Sequence, residues 1–167
     1  SETLQGTVDA VGAEYFRALV AALARTLKVK YCLVAELIPE RDSARTLAVW
    51  AGHRHMDDLE YPLRGTPCAE VVAGGMCLHP SGVQELFPDD QLLVEMGVES
   101  YHGTPIYSTD GESLGLLVTL DERPMDAEYR RLGHLLELFA ARAAAELQRQ
   151  RAERNQARQR DELERRV

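Results

Sequence analysis

Apolar residues open the chain on the period of a helix. Between Asp9 and Leu27 they fall at Val11, Tyr15, Phe16, Leu19, Val20, Leu23 and Leu27, one wide stripe. Asp9 is placed to cap it. The pattern then changes. KYCLVAELI, Lys30 to Ile38, is rich in branched and aromatic residues and predicts a strand that Pro39 stops. PERDSA reads as a turn, and RTLAVWAG, Arg45 to Gly52, predicts a second strand, so the two form a hairpin. GHRHMDDLEYPLRG is polar and predicts a long connection, a feature that in compact domains often carries function.

TPCAEVVAGG predicts a short helix. Thr66 can cap it, Pro67 suits its first turn, Glu70 can reach back to the cap, and the glycines end it. MCLHP is a short strand. GVQELFPDDQLLVEMG predicts one or two helical turns, then a short helix from about Asp89 that Gly97 stops. VESYHGTPIYS and LGLLVTLDERP are strands, and Asp110-Gly111 between them is a strong hairpin signal. Asp126 caps a last helix with the stripe Leu132, Leu135, Leu136, Phe139, Ala140, Ala143 and Leu147, expected to run unbroken to Val167. After Leu147 only Ala152, Ala157, Leu163 and Val167 are apolar. Pairs such as Asp161–Arg165 and Glu162–Arg166 support that stretch by about 0.2–0.5 kcal/mol each. The expected division is a domain over residues 1–147 and a protruding helix over 148–167 that wants a partner or a following domain. The order of elements predicts an α+β fold on an antiparallel sheet.

Composition narrows the classes. At 167 residues the chain fits one domain with a real core. No apolar run approaches the ~20 residues that span a bilayer, and no export signal opens it. Ser1 in place of Met is what a piece cut from a longer protein would have. Three cysteines are expected as reduced thiols in a cytoplasm. Residues 149–166 hold seven arginines against four acidic residues, so the net −8 leaves −11 on the remainder. An acidic body repels a phosphate backbone, and the alternating signs of the tail fit a solvated helix better than a nucleic-acid arm.

Four strings, KYCLVAEL, YPLRGTPCAEVVAGG, FPDDQLLVEMGVESYHGTPI and DGESLGLLVTLDERPM, resemble the GAF domain family of small-molecule sensor modules over roughly Tyr15 to Leu147. The resemblance is to the type found beside PAS, histidine-kinase and diguanylate-cyclase domains in bacterial signalling proteins. It implies a central antiparallel sheet of five to six strands. The N- and C-terminal helices would pack on one face, and short helices and loops would cover a pocket on the other. It also implies a homodimer held by the terminal helices, the last of which leads to an output domain.

The chemistry-bearing residues leave several readings. Cys77 and His79 share a strand face, and Cys68 could join them, but CxH is not a zinc-finger spacing and no second close pair completes it. His53 and His55 lie in a polar loop. One branch of the resembled family reduces free methionine sulfoxide with a nucleophilic cysteine; Cys68, near a helix start, has a chance of the lowered pKa this needs. Bilin attachment in the family uses a cysteine usually followed by histidine, whereas Ala69 follows Cys68 and Leu78 follows Cys77. The cyclic-nucleotide motif is half present in LVTLDE, without its Phe and its Asn-Lys pair. No cofactor is therefore expected beyond an unknown small molecule.

Alternation divides the first strand into Cys32, Val34, Glu36 and Ile38 on one face and Tyr31, Leu33, Ala35 and Leu37 on the other. The polar Glu36 argues that the first set faces the pocket and the second packs on the terminal helices. The last strand divides likewise, with Leu114, Leu116, Val118 and Leu120 toward the helices. The candidate pocket residues are Glu36, Trp50, Tyr61, Cys68, Cys77, Tyr101, Thr119 and Asp121. The expected function is a regulatory receptor for a small molecule. The alternatives are a sulfoxide reductase using Cys68 and a dimerisation module with a collapsed pocket.

Overall fold

A seven-stranded antiparallel sheet splits the protein into two layers. The computed structural model describes the backbone of residues 2–166 and the side chains of residues 12–166. The strands are β1 (Tyr31–Ile38), β2 (Ser43–Ala51), β3 (Arg54–His55), β4 (Glu60–Pro62), β5 (Cys77–His79), β6 (Ser100–Tyr107) and β7 (Ser113–Asp121). They lie in the order β3-β2-β1-β7-β6-β5, with β4 paired to the other end of β2. The expected long connection after β2 therefore supplies two short strands. Asp110-Gly111 makes the β6–β7 hairpin, with Gly111 at φ 83°.

On one face lie α1 (Glu2–Leu27) and α6 (Leu135–Arg166). Phe16, Val20 and Leu23 of α1 and Leu136, Ala143 and Leu147 of α6 bury themselves against Val34, Trp50, Ile106 and Leu117 of the sheet. Gly12 brings the two helices close, because any side chain there would collide with buried Gln150. The helix begins ahead of Asp9, so Asp9 does not cap it; the side chains of Asp9 and Val11 lie outside the described residues.

The last helix is not continuous. Asp126 does cap, accepting a 2.8 Å hydrogen bond from Tyr129 N, but it caps α5 (Ala127–Leu132). Gly133 and His134 then interrupt the rod before α6 starts. The apolar stripe crosses Gly133 and conceals the break. Burial also runs past Leu147, through Gln150 and Ala157, because α6 lies along α1.

The other face is covered by short elements: α2 (Pro67–Gly74), α3 (Val83–Leu86) and α4 (Gln91–Glu95). Thr66 stands at the start of α2, but its hydroxyl donates to Leu63 O at 2.6 Å and makes no cap. Glu70 does not reach back to it either; it faces Cys77 and His79.

Candidate functional site

Between the sheet and these short elements lies a cavity of about 360 Å³. Its floor is Tyr31 and Leu33 of β1, Thr46, Val49 and Ala51 of β2, Tyr101 of β6, and Val118 and Leu120 of β7. Its roof comes from Met56, Leu59 and Tyr61 of the connection after β2, Pro67 and Cys68 of α2, and the segment from Asp90 to Met96. One irregularity in β2 makes this floor. Val34 pairs with Ala48 but Ala35 pairs with Thr46, so Leu47 is an extra residue in the ladder. The bulge shifts the alternation so that Thr46 and Ala44 share a face with Val49 and Ala51.

Cys68 sits in the wall, buried, at the first turn of α2. Its sulfur accepts hydrogen bonds from the hydroxyls of Tyr101, at 3.1 Å, and Tyr61, at 3.4 Å. Burial pushes the thiol's pKa up, and the two hydroxyls only partly counter it. The helix start does not deliver the lowered pKa expected of a nucleophile. Burial likewise raises Tyr61 and Tyr101, so all three groups stay neutral. Tyr31 donates to Met96 O at 2.9 Å and ties the floor to the roof.

The two faces of the sheet are the reverse of the expected assignment. Tyr31, Ala35, Leu116, Val118 and Leu120 lie on the cavity side, and Cys32, Val34 and Leu117 lie under the terminal helices. Leu114 does pack on the helix side, where a register irregularity shifts the start of β7. Of the eight candidates, the structure brings Tyr61, Cys68 and Tyr101 to the cavity wall. Glu36 is buried on the opposite face, where Arg151 of α6 donates to it through Nε at 2.9 Å and Nη2 at 2.7 Å. Trp50 also lies under the helices, 4.8 Å from the Arg25 guanidinium and edge-on to His55.

Thr119 and Asp121 line a separate cavity of about 90 Å³ beside Tyr129. There Tyr129 OH is 2.5 Å from Thr119 Oγ1 and 2.7 Å from His102 Nδ1. Burial lowers His102 to about 4, so it is neutral at pH 7. Asp121 accepts from the backbone N–H of Lys30 at 3.1 Å and from Arg123 Nε at 3.2 Å.

The assumption that a polar side chain points at a ligand failed because the helical layer supplies its own partners. Arg151 answers Glu36, and Tyr129 answers Thr119. The cavity liners that went unassigned, Met56, Leu59, Leu92 and Met96, had a signal available. Met56 and Leu59 are apolar residues inside an otherwise polar stretch, and Leu92 and Met96 sit four apart on one face of a short helix, as the covering of a cavity needs.

Cys77 is off the cavity, half-buried at the sheet edge. Its thiol lies 3.7 Å from Glu70 Oε2, and His79 Nε2 lies 3.2 Å from the same oxygen. Burial and then Glu70 raise the pKa of Cys77. Among the described residues no group of three His, Cys, Asp or Glu could hold a metal ion, and no helix is long and apolar enough to cross a membrane.

An antiparallel sheet with two long helices on one face and a roofed cavity on the other defines a class of α+β domains. The GAF domain profile matches residues 13–147, and the chain belongs to that family. No curated protein sequence matches it. Solved structures share the fold at low identity. The GAF domain of an Acinetobacter phosphoenolpyruvate-protein phosphotransferase is 16% identical with a TM-score of 0.64, covering 86% of each chain. The phycoerythrobilin-bound GAF domain of a cyanobacterial phytochrome is 18% identical with a TM-score of 0.62, covering 92% of this chain and 97% of its own. The GAF domain of A. aeolicus nlh2, in an inactive state, is 12% identical with a TM-score of 0.64, covering 87% and 94%.

Proposed function

We propose that this GAF domain is a cytoplasmic regulatory receptor of a bacterial signalling protein, without catalysis of its own. The carrying observation is the cavity of about 360 Å³ roofed by short helices. A small molecule there would touch β1, β2, β6 and β7 from one side, while α1 packs on β1 and β2 and α6 on β6 and β7 from the other. A ligand that prefers one arrangement of the strands biases the helices, and with them an output domain such as a histidine kinase or diguanylate cyclase, by population shift. The Arg151–Glu36 pair supports this reading, since it fastens the outgoing helix to the strand that floors the cavity.

Dimerisation through the terminal helices is part of the proposal. Leu138, Ala141, Ala145 and Ala152 are exposed along one side of α6, a stripe that a second α6 would cover. Native mass spectrometry of the purified domain tests both parts. A dimer carrying a retained small molecule supports them. A monomer at high concentration removes the helix-pair relay. An inserted residue near Glu153 of the full-length protein should scramble output, and unchanged regulation would count against the relay.

A further inference from the structure

The lining of the cavity restricts the chemistry it can hold. Leu33, Val118 and Leu120 form its floor, Met56 and Met96 part of its roof, and the rings of Tyr31, Tyr61 and Tyr101 face it. Its polar groups are already engaged. Tyr31 donates to Met96 O, and Tyr61 and Tyr101 donate to Cys68 Sγ. Thr46 donates to Asp58 and accepts from Leu59 N. Asp90, half-buried at the start of α4, has its pKa raised by burial. Among the described residues, no cavity-lining side chain holds a buried nitrogen or oxygen in want of a partner.

The other charged side chains of the site, Lys30, His53, Arg54 and Glu95, are exposed and so belong to the mouth. Lys30 is also paired with Glu122. An anion entering the interior would lose its water and meet no counter-charge, and a cation would meet only Asp90, a half-buried carboxyl whose charged form burial already disfavours. Size sets the second limit. An apolar cavity of about 150 Å³ holds one benzene ring, and this one is more than twice that volume. The third limit is aromaticity. Three tyrosine rings and two thioethers offer edge-to-face and sulfur–ring contacts that an aliphatic ligand cannot use in return.

Taking the receptor reading above as its premise, we infer that the cavity binds an uncharged aromatic molecule of about two fused rings. The probe is indole, assayed by thermal shift and calorimetry on the intact protein. Menthol serves as an aliphatic probe of similar bulk, and cyclic GMP and biliverdin as charged ones. Indole at ten times its Kd is expected to raise Tm by about 4 °C. Menthol should bind more weakly, and the charged probes should leave Tm unchanged. Ala51→Phe places a ring inside the cavity and should weaken indole binding at least about tenfold. Should that variant unfold, Ala51→Leu gives a smaller loss in the same direction.

Menthol binding as tightly as indole overturns the aromatic assignment. A charged probe that binds, is blocked by the Ala51 variants and leaves indole without effect overturns the ligand class while sparing the receptor. No binding by any probe, together with no retained molecule in the native mass spectrum, overturns both.

Discussion

The two faces of one sheet have been finished differently. On the helical side the stripes of α1 and α6 pack on the sheet, and buried polar groups are paired across layers: Glu36 with Arg151 of α6, and Thr119 and His102 with Tyr129 of α5. Under α2, α3 and α4 the space stays partly open, and the hydroxyls turn to a thiol and to backbone. Two long helices can bury continuous stripes, so they support a dense layer. Helices of four to eight residues present too few side chains to fill the gap between them and a twisted sheet. Both layers hold a buried core, and the one under the short helices also keeps an apolar cavity.

That contrast can be broken most forcefully in the core. Leu117→Ala, fully buried under the helices, should cost about 3 kcal/mol, whereas Leu33→Ala, which borders open cavity, should cost about 1 kcal/mol. Equal losses in urea denaturation would remove the distinction between the layers.

Acid should attack the helical layer next. His102 is lowered to about 4 by burial from an ordinary 6.5. Between those values the unfolded chain binds the extra proton, so stability is full above pH 6.5 and falls as pH drops toward 4. The loss reaches about 3 kcal/mol, and His102→Gln should flatten that part of the profile.

The Glu36–Arg151 pair comes third. Glu36 is buried while the arginine is partly exposed. A double-mutant cycle with Glu36→Gln and Arg151→Met should give a coupling of about 1–2 kcal/mol. Coupling near zero would mean that α6 is not fastened to β1 by this contact.

The smallest effect belongs to the cavity wall. Tyr101→Phe removes one of two hydrogen bonds to Cys68 and should cost about 1 kcal/mol. Thiol labelling of the native protein sharpens the same point. Cys77, half-buried at the edge, should react before Cys68 and Cys32, which are buried. If Cys68 reacts first, the wall is not closed and a nucleophilic role returns.

Much of this was legible from pattern. The helical stripe before Leu27, the alternation of β1 and β7 and the Asp110-Gly111 hairpin placed the main elements, since each is a local signal. Tyr61, Cys68 and Tyr101 were found as wall residues from strings that resemble the family. The two small strands after β2 were missed because a run of two or three residues has no measurable period. The break at Gly133 was missed because a stripe of leucines continues across it.

The residues by themselves determined the order of the main elements, the antiparallel α+β class and the family, because periodicity, turn chemistry and caps act over a few neighbours. Which layer each strand face meets was decided only by the tertiary structure. A strand with apolar residues on both sides has a period of two and no sign, so it presents two faces without saying what covers either. A buried Glu36 beneath the helices is met there by a partner 115 positions away, Arg151, which no local pattern announces.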